Sequence, residues 1–132
     1  MLVKMESPNG DGGSDTLNFI KIISASFSGG SSTYTISCDK KPKSAIWVTG
    51  PSTDKSIHIF DLVNLDNGKS KSLQWYRTGS VVEYSSTIYF DNITDSSVTF
   101  HYSGYSTSNY GFLILLENEW DFTLDIPVST SI

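Results

Sequence analysis

The sequence contains few of the residues that favour helices or crosslink small domains. Its 132 residues include 1 cysteine, and counting along the sequence gives 2 alanines and 1 glutamine against 23 serines and 12 threonines. Alanine and glutamine favour helices, whereas threonine favours strands and serine favours turns, so this composition nearly excludes an all-α fold. Because the lone Cys38 cannot form an internal disulfide, we do not expect a disulfide-stabilised secreted domain.

Positive charge and long apolar runs are also scarce. The chain carries 9 Lys and Arg against 14 Asp and Glu, for a net charge of -5, and so offers no basic patch for a nucleic acid. The longest apolar run, residues 112–116, is far shorter than the roughly 20 residues of a membrane-spanning helix. Residues 1–15 contain no apolar stretch of signal-peptide length. We therefore expect synthesis in the cytoplasm without a signal peptide, and neither membrane insertion nor a nucleic-acid partner.

The length suits one domain preceded by a short arm. A chain of this size buries roughly two thirds of its unfolded surface, so no metal or other cofactor is needed for stability. Residues 8–15 read PNGDGGSD, which is too polar and too rich in glycine to pack. We interpret residues 1–15 as a flexible N-terminal arm or linker and residues 16–132 as a single domain.

Apolar residues recur at every second position after this arm, in short runs that end in turn-forming residues about every ten positions. This pattern predicts eight or nine short strands, too many for one flat sheet of this size. We therefore predict an all-β fold, an antiparallel two-sheet β-sandwich of jelly-roll-like form. The predicted strands are residues 17–27, 33–38, 45–49, 57–63, 70–77, 86–90, 97–102, 110–116 and 120–126.

Turn-forming residues also predict how some of these strands connect. Residues 28–30 and the Asn67-Gly68 step favour hairpin turns, and residues 91–95 predict a further hairpin. Residues 45–49 are apolar at nearly every position, which is typical of a central strand that is covered on both faces.

Residues that can carry out chemistry are few. Cys38 is in phase with apolar neighbours in its strand, so we interpret it as a core residue rather than as a nucleophile activated by His58 or His101. The spacing of the two histidines matches neither a zinc site nor a catalytic triad, and we expect both at surface or half-buried positions. The acidic residues near turns fit turn-stabilising roles better than a calcium loop. These are Asp61, Asp66, Asp91 and Asp95.

Aromatic residues are the most abundant candidates for binding, with 7 Phe, 7 Tyr and 3 Trp. Tyr76, Tyr105 and Tyr110 lie in or beside polar strand ends and loops, where their rings can stack on a glycan, although packing tyrosines with an exposed hydroxyl occupy similar positions.

The last predicted strand has large apolar residues at alternate positions. Trp120, Phe122, Leu124 and Ile126 share one face of it. If the sandwich is complete without this strand, that face is a candidate oligomer interface.

The middle of the chain resembles a β-sandwich module found in bacteriophage tail fibres, tail tips and related virion appendages. The resemblance covers residues 27–116, and the aliphatic strand near its end departs from the tyrosine-rich strand of that module. Its motifs are Phe27-Ser28-Gly29, Thr35-Ile36, Pro42-Lys43, Ala45-Ile46-Trp47-Val48, and Asn109 with Gly111 and Phe112.

This resemblance implies a non-enzymatic structural or attachment protein of a phage virion, in the tail, baseplate or fibre. It implies a homo-oligomer, for which we expect a trimer, with the N-terminal arm contacting other virion proteins and a host-surface glycan as a candidate further partner. The alternative function is a lectin-like carbohydrate-binding module that uses Tyr76, Tyr105 and Tyr110. A hydrolase ranks third, because it needs paired carboxylates at a cleft and the sequence does not locate such a pair.

Overall fold

The computed structural model describes residues 4–6, 16–27, 30–50, 56–76, 81–83, 88–105 and 109–121. Every regular element within these ranges is a β-strand. Two short strands, at residues 4–6 and 81–83, were not predicted. The first of them lies within the predicted N-terminal arm. The strands are β1 (Lys4–Glu6), β2 (Phe19–Phe27), β3 (Gly30–Ser37), β4 (Ser44–Gly50), β5 (Ser56–Asp66), β6 (Lys69–Tyr76), β7 (Val81–Glu83), β8 (Ile88–Asp91), β9 (Ser97–Tyr105), β10 (Asn109–Leu116) and β11 (Glu119–Asp121).

These strands form two main sheets that pack face to face. The large sheet has the order β2-β10-β4-β5-β6-β7, the small sheet has the order β3-β9-β8, and β1 pairs separately with β11. All of these pairings are antiparallel. The predicted all-β, two-sheet sandwich is therefore confirmed.

An aromatic cluster fills the space between the two sheets. The Phe60 ring lies edge-on to Phe90 at 5.0 Å and to Phe100 at 6.0 Å between ring centroids, and Trp47 lies 6.2 Å from Phe100. Edge-to-face contacts of this kind stabilise a core beyond the effect of buried area alone. The core comprises Ile36, Ala45, Trp47, Phe60, Leu62, Ile88, Phe90, Val98, Phe100, Tyr102, Leu113 and Leu115.

Two of the predicted hairpins are confirmed. Asp66 pairs with Lys69 across a two-residue turn, in which Asn67 and Gly68 have φ angles of 52° and 78°. Positive φ at both central residues is the geometry for which Asn-Gly is favoured. The strands β8 and β9 pair across the predicted turn at residues 91–95.

The hairpin predicted at residues 28–30 was wrong. The strand before it, β2, pairs with β10 in the large sheet, and the strand after it, β3, pairs with β9 in the small sheet. This arrangement sets Ile23 opposite Leu113 and Ile36 opposite Val98, so that both strands contribute inward side chains to one core. The strands β2 and β3 therefore belong to different sheets.

Residues 45–49 form a central strand, as predicted, but one that is not covered on both faces. The strand β4 lies inside the large sheet between β10 and β5. Its inward residues Ala45 and Trp47 are fully buried, whereas Ile46 and Val48 on the outer face are only half-buried. The outer face of this sheet is therefore less covered than the sequence suggests.

The aromatic cluster predicts a large cost for truncating its central ring. Phe100 is fully buried and contacts Trp47, Phe60 and Phe90, so we expect Phe100→Ala to lower the free energy of unfolding by about 3–5 kcal/mol. Urea unfolding at neutral pH measures this. The exposed Thr35→Ala, on the neighbouring strand, is the control and should change stability by less than about 0.5 kcal/mol. Equal effects of the two substitutions would contradict the assignment of the core.

Candidate functional site

The two outer faces of the sandwich differ sharply in polarity. On the small sheet, the alternate residues that do not point into the core are polar or carry a polar group. Cross-strand neighbours on this polar face align Thr33 with His101 and Tyr89, and Thr35 with Thr99 and Asp91. Such a face is suited to contact with water.

The outer face of the large sheet carries two rows that are largely apolar, with Ser24 opposite Phe112 at the β2 edge. A continuous row of aliphatic side chains crosses five strands, because the register places Ile22 opposite Ile114, Ile114 opposite Ile46, Ile46 opposite Ile59, and Ile59 opposite Leu73. A second row aligns Phe112 with Val48 and Val48 with Ile57. We call the incompletely buried members of these rows the aliphatic face. They are Ile22, Ile46, Val48, Ile57, Ile59, Phe112 and Ile114.

Much of the aliphatic face is open to solvent. Relative exposure is 54% for Ile22, 56% for Phe112 and 36% for Ile57. Phe19, at the start of the edge strand β2, is 54% exposed. Single exposed apolar residues are ordinary, but a contiguous apolar patch across several strands marks a contact surface.

At one end of the same outer face the side chains are buried, and the strand β11 contacts β5. Leu73 is 6% exposed and Leu116 is fully buried, yet neither belongs to the core between the sheets. Leu73 pairs with Ile59, and Leu116 lies two residues beyond Ile114, so both belong to the outer face. We infer that β11, together with its partner β1, shields this end of it.

Of the four predicted interface residues, the structure describes Trp120 alone. Trp120 lies in β11 and is half-buried, and its indole Nε1 is buried without a hydrogen-bond partner among the described residues. Phe122, Leu124 and Ile126 lie outside the described residues. The aliphatic face itself was missed by the sequence analysis, which treated residues 45–49 as covered.

The three predicted ligand-binding tyrosines lie at one end of the sandwich, as judged from strand register. Tyr76 pairs with Ser56 and Tyr110 with Gly50, and these positions share one end of the large sheet because β4 and β5 pair there through Val48 and Ile57. Tyr105 is the last residue of β9, which leads towards β10 at the same end. The structure describes the backbone of the three tyrosines and not their side chains.

A polar network on the small sheet includes a carboxylate partner that the sequence analysis missed. The Asp91 Oδ1 atom lies 2.7 Å from His101 Nε2, and the Tyr89 ring stacks on the His101 ring at 4.5 Å. The Thr33 Oγ1 atom lies 3.5 Å from His101 Nδ1, the outer limit for a hydrogen bond. Because Thr33 is exposed on an open sheet face, we interpret this group as a surface network. The register of the β8–β9 hairpin was the signal that could have revealed the Asp91–His101 pair.

His58 is buried, so the expectation of a surface or half-buried position was wrong for this residue and right for His101. It is in phase with the inward residues Phe60 and Leu62 on β5, is 1% exposed, and stacks on Phe60 at 6.1 Å between ring centroids. Burial lowers the pKa of His58 from 6.5 to about 4, because desolvation disfavours the charged imidazolium.

Cys38 has the surroundings of a packing residue. It is half-buried against the core, and its backbone N–H donates to the carbonyl of Ser96. Burial, followed by the negative charge of Asp39, raises the pKa of the Cys38 thiol. A raised pKa lowers the fraction of thiolate, which is the nucleophilic form. This environment fits Cys38 as a packing residue at the edge of the core.

Asp61 acts as a turn-stabilising residue where β5 is irregular. Its carboxylate Oδ1 accepts hydrogen bonds from the backbone N–H groups of Val63 at 2.9 Å and Asn64 at 3.1 Å. Its Oδ2 accepts from the Asn64 side chain at 3.1 Å. The described residues contain no group of three or more His, Cys, Asp or Glu placed to hold a metal ion.

The sandwich is open on the side where β2 and β3 face each other. A cleft of about 400 Å³ lies there, with Ile23, Ile36 and Leu113 among its lining residues. Two hydrogen bonds span it: Lys21 Nζ donates to the carbonyl of Ser37 at 2.8 Å, and the Tyr34 hydroxyl donates to the carbonyl of Ser26 at 3.1 Å. On the opposite side, the backbone N–H of Phe90 donates to Ser70 Oγ at 2.8 Å and joins the two sheets.

Comparisons of the chain with protein families, with curated proteins and with solved structures found no match. Within the described ranges, no helix is long and apolar enough to cross a membrane.

The buried imidazole of His58 predicts that acid destabilises the protein. Between pH 6.5 and about 4 the unfolded state binds the proton that folded His58 excludes, so the free energy of unfolding falls as the pH falls through this window. A shift of this size corresponds to about 3 kcal/mol over the whole window. Urea unfolding at pH 7 and pH 4.5 should show a larger loss for the wild type than for His58→Leu, since the carboxylates contribute similarly to both.

An NMR titration of the His58 ring provides the second measurement of this effect. A midpoint near 4 is expected. A His58 midpoint near 6.5, or equal acid losses in the wild type and His58→Leu, would contradict the buried environment of His58.

Proposed function

We propose that this chain is a non-enzymatic structural or attachment protein of a phage virion, in a tail, baseplate or fibre, and that it works as a homo-oligomer. The observation that carries the proposal is the aliphatic face. Its most exposed part lies on β2 and β10, where Ile22 and Phe112 are more than half exposed. Phe19, opposite Leu116 at the start of β2, is also more than half exposed. We assign this part to contact between copies of the chain.

The contrast between the outer faces supports self-association through the large sheet. Burying apolar side chains is the main favourable term in stable subunit contacts, and the large sheet offers such side chains on a strand-paired, rigid surface. The small sheet offers threonines with the Asp91–His101 pair instead. A closed symmetric assembly would also cover the edge strand β2, which otherwise remains available for pairing with other chains.

The virion setting rests on the resemblance of residues 27–116 to tail-fibre and tail-tip modules. In this setting the protein is made in the host cytoplasm and assembles into the particle, as a trimer in the simplest arrangement. The N-terminal arm, whose residues 4–6 pair with β11 as β1, is then the candidate attachment point for other virion proteins.

A charge placed on the exposed part of the aliphatic face should disrupt the assembly. We expect the wild-type chain to sediment as a multiple of 14.6 kDa at micromolar concentration, and Phe112→Asp to shift it towards the monomer, because an unpaired carboxylate is costly to bury in an apolar interface. The control is Thr35→Asp on the polar face of the small sheet, which should leave the mass unchanged. A monomeric wild type would contradict the proposed assembly.

A second candidate function is glycan binding at the end of the sandwich that carries the three tyrosines. The observation that favours it is the register that brings the backbones of Tyr76, Tyr105 and Tyr110 to one end. Stacked aromatic rings contribute on the order of 1 kcal/mol each.

Binding to a glycan array tests this second candidate. We expect Tyr105→Ala to weaken a wild-type signal several-fold, while Tyr89→Ala on the polar face of the small sheet leaves it unchanged. A silent array with the wild type, or equal binding by wild type and Tyr105→Ala, would discard glycan binding at these tyrosines.

A further inference from the structure

A second part of the aliphatic face lies on the central strands β4 and β5. It consists of Ile46, Val48, Ile57 and Ile59, which are in register across the two strands. Three of these residues are half-buried and Ile57 is 36% exposed. Ile22 lies on the edge strand β2 and Phe112 on its neighbour β10, whereas these four residues lie on the more central strands β4 and β5.

We propose that the segment following β11, residues 122–128, docks on this central part of the aliphatic face of its own chain. The proposal goes beyond the self-association suggested above and does not depend on a virion role. It extends a contact that the structure already contains, since β11 contacts β5 and the outer-face residues Leu73 and Leu116 are buried.

The position of β11 supplies the first argument. Leu116, the last residue of β10, is fully buried, and β11 begins three residues later at Glu119. Leu116 is separated by two residues from Ile114 in the first row of the face and by four from Phe112 in the second. An extended chain advances roughly 3.3 Å per residue, so residues 122–126 are long enough to cross both rows.

The sequence of the segment supplies the second argument. Trp120 is followed at every second position by Phe122, Leu124 and Ile126, while Thr123 and Asp125 alternate with them. The Trp120 indole Nε1 is already buried. If the extended conformation of β11 continues, the next apolar side chains point to the same side as Trp120.

The occupant is therefore a segment of the same chain, covalently continuous with a strand that is already in place. A neighbouring copy would have to bring the same segment to this position at an entropic cost that the covalent connection avoids. The earlier assignment of Phe122, Leu124 and Ile126 to a subunit interface is the competing arrangement, and the test separates the two.

Disulfide crosslinking of the full-length chain tests the proposal. In a Cys38→Ser background, Ile57→Cys is combined in turn with Phe122→Cys, Leu124→Cys or Ile126→Cys, and the dilute protein is oxidised. We expect at least one pair to form a crosslink within one chain, detected by mass spectrometry and by faster migration on a non-reducing gel. Ile57→Cys with Thr123→Cys is the phase control, and Thr35→Cys with Leu124→Cys is the control for the opposite face. Neither control pair should form a crosslink.

The alternative outcomes are distinct. Crosslinks that join two chains would overturn docking within one chain and assign the segment to a neighbouring copy. Absence of a crosslink in all three test pairs, or equal crosslinking in the controls, would also overturn the proposal.

A second measurement uses single substitutions in place of the double-cysteine variants. Leu124→Asp in the otherwise native chain should increase the fluorescence of an anilinonaphthalene sulfonate dye, because the central part of the aliphatic face becomes accessible, whereas Thr123→Asp should not. Equal dye binding by these two variants would count against docking. Because Phe112→Asp probes self-association separately, loss of the assembly and loss of the docked segment can be told apart.

Discussion

Burial of alternate side chains between the two sheets is the constraint on which the rest of the structure depends. Placing Trp47 inward against Phe100 leaves Ile46 and Val48 on the outer face of β4, and placing Phe60 inward leaves Ile59 outside on β5. A slip of one residue in any strand would turn its inward side chains outward and its outward side chains inward. The aromatic rings of that strand would then leave the core. The aliphatic face is therefore fixed by the same alternation that forms the core.

The sequence was sufficient for the fold class because alternation is a local signal. Each strand from β2 to β6 could be recognised from its own residues, and the Asn67-Gly68 turn fixed one hairpin register. The assignment of β2 and β3 to different sheets depends on which distant strands they pair with, and no neighbouring residue encodes that choice. The short strands β1 and β7 contain too few residues to show a period.

The candidate sites were less predictable for the same reason. The row from Ile22 to Ile59 requires β10, which is distant in sequence, to lie between β2 and β4. The pairing of Asp91 with His101 likewise requires a hairpin register, although those residues are close in sequence. His58 was misplaced because the strand containing it is apolar on both faces, so that its inward phase shared with Phe60 was not recognised.

The two outer faces define how we expect the protein to work. In the proposed arrangement the polar small sheet remains in contact with water. The aliphatic face of the large sheet would contact protein, one part with another copy and the other with the segment that follows β11. Three titratable residues in the described part of the chain have structural roles. His58 is held neutral in the core, Asp61 closes a turn, and Asp91 holds His101 on a polar surface.

The central claim is that the aliphatic face is covered by protein in solution, and solvent accessibility of individual methyl groups tests it most directly. Relaxation enhancement by a soluble paramagnetic agent can be measured on the isoleucine δ1 methyls of the full-length wild-type chain. The account predicts that Ile46, Ile59 and Ile114 are protected to nearly the same degree as Ile88 in the core, while the methyl groups of Thr33 and Thr35 are fully accessible. Isoleucine methyls on the aliphatic face that are as accessible as those threonines would contradict it.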